Sequence, residues 1–169
     1  MALEADVLKE LRRLRTRVPL LTGALAASAD GLVLARDVQS VEAEGLSALT
    51  AAALGVAHRM TDIAGRGHFR ELLVRGSEGY VATYAAGPSA VLTLIADEHA
   101  NVGRLHLEGR RSGARIAELV AAGLDNGDAR AAASTGGPGA SAPPGRSLGT
   151  LPVRMPGEPR RPLQPGAGN

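Results

Sequence analysis

The sequence predicts one α/β domain, in the order helix, hairpin, long helix, three-strand meander, helix, followed by an extension. Three observations carry this. Apolar residues recur at helical spacing over residues 3–18 and again over 46–63. An Asp30-Gly31 pair stands between two short apolar runs, the pattern of a hairpin turn. Three later runs, "HFRELLVR", "YVATYAA" and "AVLTLIA", are joined by short glycine-containing turns, so neighbouring runs should pair antiparallel.

The first helix has its stripe at Leu3, Val7, Leu11, Leu14 and Val18. Pro19 ends it, because proline lacks an amide donor and disfavours helical geometry in the residue before it. The stretch "ASADGLVLARD" is then most simply a hairpin, since Asp-Gly readily takes the positive φ angles of a two-residue turn. From Val41 to Ala64 a second helix carries a seam of Leu46, Leu49, Ala53, Val56, Met60 and Ile63, which must pack on something. Leu54 lies on another face of that helix, beside Thr50, His58 and Thr61, and has two readings: an ordinary exposed leucine or a partner contact. In the meander, the first strand carries Arg70, Glu71 and Arg75 and suits an edge, while the nearly all-apolar third strand suits the centre. Residues 101–122 form the last helix, in which Gly109 and Gly113 offer a place for close backbone approach.

From Gly123 the composition changes. The 47 residues to Asn169 hold 10 Gly and 8 Pro, too little core-forming content to offset the entropy of ordering them. The expected division is therefore a domain at 1–122 and a disordered tail at 123–169. Within the tail, "LPVRMPGEPRRP" also has the character of an extended docking motif, and "DNGD" at 125–128 reads as a helix-ending turn because it lacks the later Glu of a calcium loop.

Charge and composition exclude several classes of function. Residues 1–122 hold 14 Lys/Arg against 14 Asp/Glu, so the formal excess of +2 lies in the tail, and only Phe69, Tyr80 and Tyr84 are aromatic. A nucleic-acid binder would cluster its bases and interleave stacking rings. With no cysteine, thiolate chemistry and disulfides are out. No apolar leader or membrane-length stretch is present, so a cytoplasmic protein is expected, reaching a membrane only through partners. The single lysine, Lys9, sits in the first helix and outside any glycine loop, which excludes a P-loop. "GRGHFR" at 65–70 lacks the third glycine of a dinucleotide fingerprint and precedes a strand, so it reads as a helix-ending turn. His58, His68, His99 and His106 have no metal-ligand spacing, and no serine elbow or converged carboxylate pair appears. No catalytic residue, cofactor or metal is expected.

The element order, together with "GALAASADGLVLA", the long Ala-rich helix, "ELLVRGSEGYVATY" and "AVLTLIADEHANVGRLHLEGRR", resembles the Roadblock/dynein light chain family, particularly its small bacterial members, over about residues 5–120. The resemblance implies an α/β sandwich: a five-stranded antiparallel sheet with the long helix on one face and the terminal helices on the other. It also implies dimers built by joining edge strands and packing long helices, and regulation of a small Ras-like GTPase. Actinobacterial relatives also occur beside a sensor-kinase-like protein. No residue matches a transition-state arginine; Arg59, Arg66 and Arg75 are simply bases near the expected surfaces. The reading is a homodimeric, non-enzymatic regulator or scaffold, with a dimer interface at Phe69, Glu71, Leu73 and Arg75 and a partner interface at Thr50, Leu54, His58 and Thr61. The alternative is a profilin-like or PAS-like ligand-sensing module, which would need a cavity with a few convergent polar groups.

Overall fold

A computed structural model describes residues 2–39 and 41–135, with side chains through Asp125. The helices are α1 (Ala2–Arg17), α2 (Ala43–Ile63) and α3 (Val102–Thr135), and the strands are β1 (Leu21–Ser28), β2 (Val33–Asp37), β3 (Glu71–Gly76), β4 (Gly79–Ala86) and β5 (Ala90–Asp97), in the predicted order. One antiparallel sheet runs β2-β1-β5-β4-β3. Apolar β5 is thus central and charged β3 lies at an edge, as their compositions require.

Local chemistry sets the element ends. α1 stops at Arg17, and Leu20 adopts a φ of 63°, unusual for a residue with a side chain, to send the chain into β1. The Glu42 carboxylate accepts the Gly45 amide at 3.0 Å and opens α2. Gly65, with φ 62°, turns the chain out of α2 at the expected place. The Asn101 side chain accepts the Arg104 amide at 2.9 Å and opens α3.

The hairpin forms where Asp30-Gly31 placed it, but its turn differs from the expected one. Only Gly31 takes a positive φ (93°), and its amide donates to the Ser28 carbonyl at 3.0 Å. Packing explains the difference. The Gly31 carbonyl accepts the Ser47 hydroxyl at 2.7 Å, and a side chain at Gly31 would sit 3.3 Å from the Ala48 backbone, so the loop is drawn down onto α2.

Helices α1 and α3 cover one face of the sheet. Val7, Leu11 and Leu14 of α1 and Leu105 and Ile116 of α3 pack with Ala26, Tyr84, Leu92 and Leu94. Between the two helices runs a charged seam. Glu10 and Glu108 are buried, Ser112 donates to Glu10 at 2.8 Å, and Arg17 reaches Glu10 at 3.0 Å and Glu108 at 3.1 Å. Partial burial works against the Arg17 charge, but hydrogen bonds to Glu108 and Glu10 outweigh it and raise the guanidinium pKa.

α3 lies very close to β4. A methyl on Gly109 would fall 2.4 Å from the Tyr84 ring, and one on Gly113 would fall 3.1 Å from the Ala85 carbonyl oxygen, so this glycine pair does permit the backbone approach that its spacing suggested. The helix then runs beyond the expected boundary at 122. Val120 is buried, a side chain on Gly123 would lie 3.0 Å from Leu3, and the helix continues to Thr135. Asp125–Asp128 lies inside the helix instead of forming a helix-ending turn, directly after the packing of Gly123 on Leu3 of α1. Residues 136–169, with the docking reading for "LPVRMPGEPRRP", lie outside the described residues.

Gly109 supplies a test. Gly109→Ala would raise helix propensity by about 1 kcal/mol, yet it would force a methyl into the Tyr84 ring. The clash should win, with a net loss of about 1–2 kcal/mol in urea unfolding; stabilisation would show that α3 can lift from β4 without cost.

Candidate interaction surface

α2 meets the other face of the sheet through its smaller side chains. Ala43, Ser47, Thr50, Leu54 and Ala57, spaced four, three, four and three, point inward. Leu54 and Ala57 pack with Ala27, Val91 and Phe69. Below them the Thr93 hydroxyl donates to Thr50 at 3.3 Å and lies 3.4 Å from the Thr83 hydroxyl. These buried hydroxyls satisfy one another, which removes the cost of burying each alone.

Most of the expected seam of α2 therefore faces outward, with Leu46 and Ala53 half-buried. Leu49 is 71% exposed, Val56 61%, Met60 65% and Ile63 77%. They repeat at helical spacing along one side of α2 and touch no core. The sheet beneath is also incompletely covered. Val74, Val81, Ile95 and Gly23 form one cross-strand row, displaced from the row of Ala27, Val91 and Ala85 under α2. Val74 is exposed, and with Val81 and Ile95 it lines an open groove of about 400 Å³. Edge strand β3 borders it, its outer ladder unpaired among the described residues. The exposed stripe of α2, the open sheet row and the unpaired edge are the features of this side that mark a candidate interaction surface.

Of the residues expected at a partner interface, Thr50 and Leu54 are instead buried against the sheet, Leu54 at 8% exposure. His58 is exposed and stacks at a tilt on Phe69, with ring centroids 5.3 Å apart, and Thr61 donates to the His58 carbonyl at 2.9 Å. The misplacement has a physical reason: both arcs of α2 carry helical periodicity, and periodicity does not tell which arc is inward. A signal was present. The sheet face is built from Ala27, Ala85 and Thr93, and small strand residues admit a helix only by its own small side chains.

The four residues expected at a dimer interface fall on or beside β3. Phe69 is buried beneath α2. Leu73 and Arg75 are exposed on the strand, the Arg75 guanidinium 5.7 Å from the Tyr80 ring centre. Glu71 is engaged within the chain: Arg110 grips it with two hydrogen bonds at 2.6 and 2.5 Å, and His106 lies 3.7 Å away. The Arg110 hydrogen bonds hold the Glu71 carboxyl below its ordinary value, against the opposing effect of burial. Behind it, Tyr84 hydrogen-bonds His106 at 3.0 Å, and burial pushes the phenol pKa well up, so Tyr84 keeps its proton. The pairing of α3 with the start of β3 was not foreseen; its only sequence trace is the base-rich run around Arg110.

The model of the Roadblock/LC7 domain matches residues 7–96, from α1 to the end of β5. The chain belongs to this family. A relative from Methanocaldococcus jannaschii is 30% identical over 95 residues, covering 56% of this chain and 82% of that protein. Among solved structures, an MglB in a tetrameric arrangement superposes with a TM-score of 0.66 at 22% identity, covering 70% of this chain and 90% of the other. A Roadblock/LC7 domain from Streptomyces avermitilis gives 0.63 at 22%, covering 67% and 96%. In this Roadblock domain β1–β4, α2, most of α1 and all but the last residue of β5 lie within the matched region, while α3 lies beyond it. Among the described residues no cluster of three potential metal ligands occurs and no helix is long and apolar enough to cross a membrane.

Two outcomes follow from this geometry. Leu54→Asp buries an unpaired charge and should cost more than about 3 kcal/mol of stability, whereas Met60→Asp should keep a native far-UV spectrum and a cooperative transition; equal tolerance of both would mean that α2 is rotated from the orientation described. The second concerns acid. A depressed folded-state pKa gives Glu71 a stabilising contribution that is complete above the unfolded value, near 4.3, and lost as pH falls through the folded value. Glu71→Gln should flatten the loss of stability below about pH 4.5 seen in the parent protein, as read from urea midpoints across pH; parallel profiles would refute the assignment.

Proposed function

We propose that this Roadblock domain is a homodimeric regulator or scaffold of a small Ras-like GTPase within a signalling complex, with no catalytic residue of its own. The observation that supports self-association is the outward stripe of α2 beside an incompletely covered sheet row and an unpaired edge strand. A second copy related by a two-fold axis would meet the same surface on its partner. The stripe residues Leu49, Val56, Met60 and Ile63 would pack helix against helix, while β3, with Leu73 and Arg75, would join strand to strand. Glu71 would contribute by anchoring β3, and Phe69 by supporting α2.

The GTPase partner rests on family membership and on the fold shared with MglB. Of the residues expected at that contact, His58 and Thr61 remain at the surface. Modulation of the nucleotide cycle, an associated sensor-kinase-like protein and partner-dependent recruitment to a membrane belong to the same reading.

Sedimentation velocity at micromolar concentration, followed by retention of Ras-like GTPases from the source genome loaded with GTP or GDP, tests the proposal. The parent protein should sediment as a dimer, Val56→Glu as a folded monomer, and one nucleotide state should be retained at least tenfold better than the other. A monomeric parent removes the dimer; a dimer indifferent to Val56→Glu removes the helix contact; no retention in either state removes the GTPase.

A further inference from the structure

Beside the C-terminal half of α2 lies a second cavity, which shares His58 with the proposed partner contact but none of the outward stripe. It is a cleft of about 610 Å³ between α2, the 65–69 loop and the β4–β5 turn. That volume is within the range of small-molecule sites. Its walls are apolar, from Leu54, Phe69, Ala85 and Pro88, and it remains open because residues around it are small. A side chain added at Gly55, on the α2 wall, would meet nothing within 4 Å.

His58 and His68 are the cleft's only ionisable lining residues, and neither imidazole has a hydrogen-bond partner among the described residues. His58 is held against Phe69 instead. The adjoining sequence, residues 58–70, adds Arg59, Arg66 and Arg70 against one acid, Asp62. An apolar pocket whose polar lining consists of two imidazoles suits a molecule with an apolar body and one negative end. We infer that this cleft binds a small amphipathic carboxylate, its chain or ring against Leu54 and Phe69 and its anionic group between His58 and His68. The site is independent of the dimer surface, since the outward stripe lies on the other arc of α2.

Calorimetric titration of the full chain with octanoate, and with 1-octanol as the uncharged match, tests this. Octanoate should bind saturably with one site per chain and at least fivefold more tightly than octanol. Gly55→Leu should weaken octanoate at least tenfold, with Ala85→Leu as an independent cavity filler should the first variant not fold. The double variant His58→Gln, His68→Gln should abolish the preference over octanol. No saturable binding, or binding unchanged by cavity filling, overturns the proposal. Equal affinity for acid and alcohol overturns the role of the histidines, and binding only to an acidic, hydrophobic peptide in place of octanoate would make the cleft a protein-docking pocket instead.

Discussion

The orientation of α2 on the sheet is the constraint from which the functional surface follows, and hydroxyl groups set it. Ser47 reaches the Gly31 carbonyl in the hairpin loop, and Thr50 meets Thr93 on the central strand. Turning the helix to bury Leu49, Val56, Met60 and Ile63 would gain apolar burial. It would also lay those side chains over Thr83 and Thr93, stripping a buried hydroxyl of its partner and forcing bulky groups into a space shaped for small ones. Both costs act in the same direction. The helix therefore keeps its apolar stripe in solvent, which an isolated globular domain has no reason to do.

The opposite face of the sheet makes the contrast plain. There two helices close over the strands, Gly109 and Gly113 allow α3 to approach to backbone distance, and even the charges between the helices find partners. The buried pair of glutamates is tolerable because Arg17 bridges the two, while Ser112 also serves Glu10 and Arg111 also serves Glu108. One face is thus complete in itself. The other carries a helix over one part of the sheet, an open row at Val74, Val81 and Ile95, and a cleft at the far end. Whatever this molecule does with other molecules, the incomplete side is where its apolar surface is available.

Much of this architecture was legible in the sequence, and the limits of legibility have physical causes. Periodicity located α1 and α2, proline and glycine located their ends, and the charge on "HFRELLVR" against the apolarity of "AVLTLIA" located the edge and the centre of the sheet. The family resemblance supplied the layer arrangement. What periodicity did not determine was rotation: Leu54 and Leu49 both lie on regular stripes, and only the size of the residues across the interface distinguishes them. The extent of α3 was misjudged for a related reason. Composition at Gly123 signals a change in intrinsic propensity, whereas the helix is held there by α1, through a contact with Leu3 distant in sequence. The pairing of Glu71 with Arg110 is equally non-local, and spacing alone gives no access to it.

Two-fold symmetry adds a last consequence to the outward stripe. In an isologous contact every residue of the stripe appears twice, so a single substitution there changes the interface at two places. The edge strand differs. Its contribution comes from backbone groups, which side-chain substitutions largely leave in place. Helix and strand would therefore divide the work, with α2 making association sensitive to sequence and β3 setting its geometry. The Glu71–Arg110 pair then acquires a role beyond the stability of one chain. By fastening the start of β3 to α3, it would leave less ordering to be done in the proposed dimer when a second strand arrives.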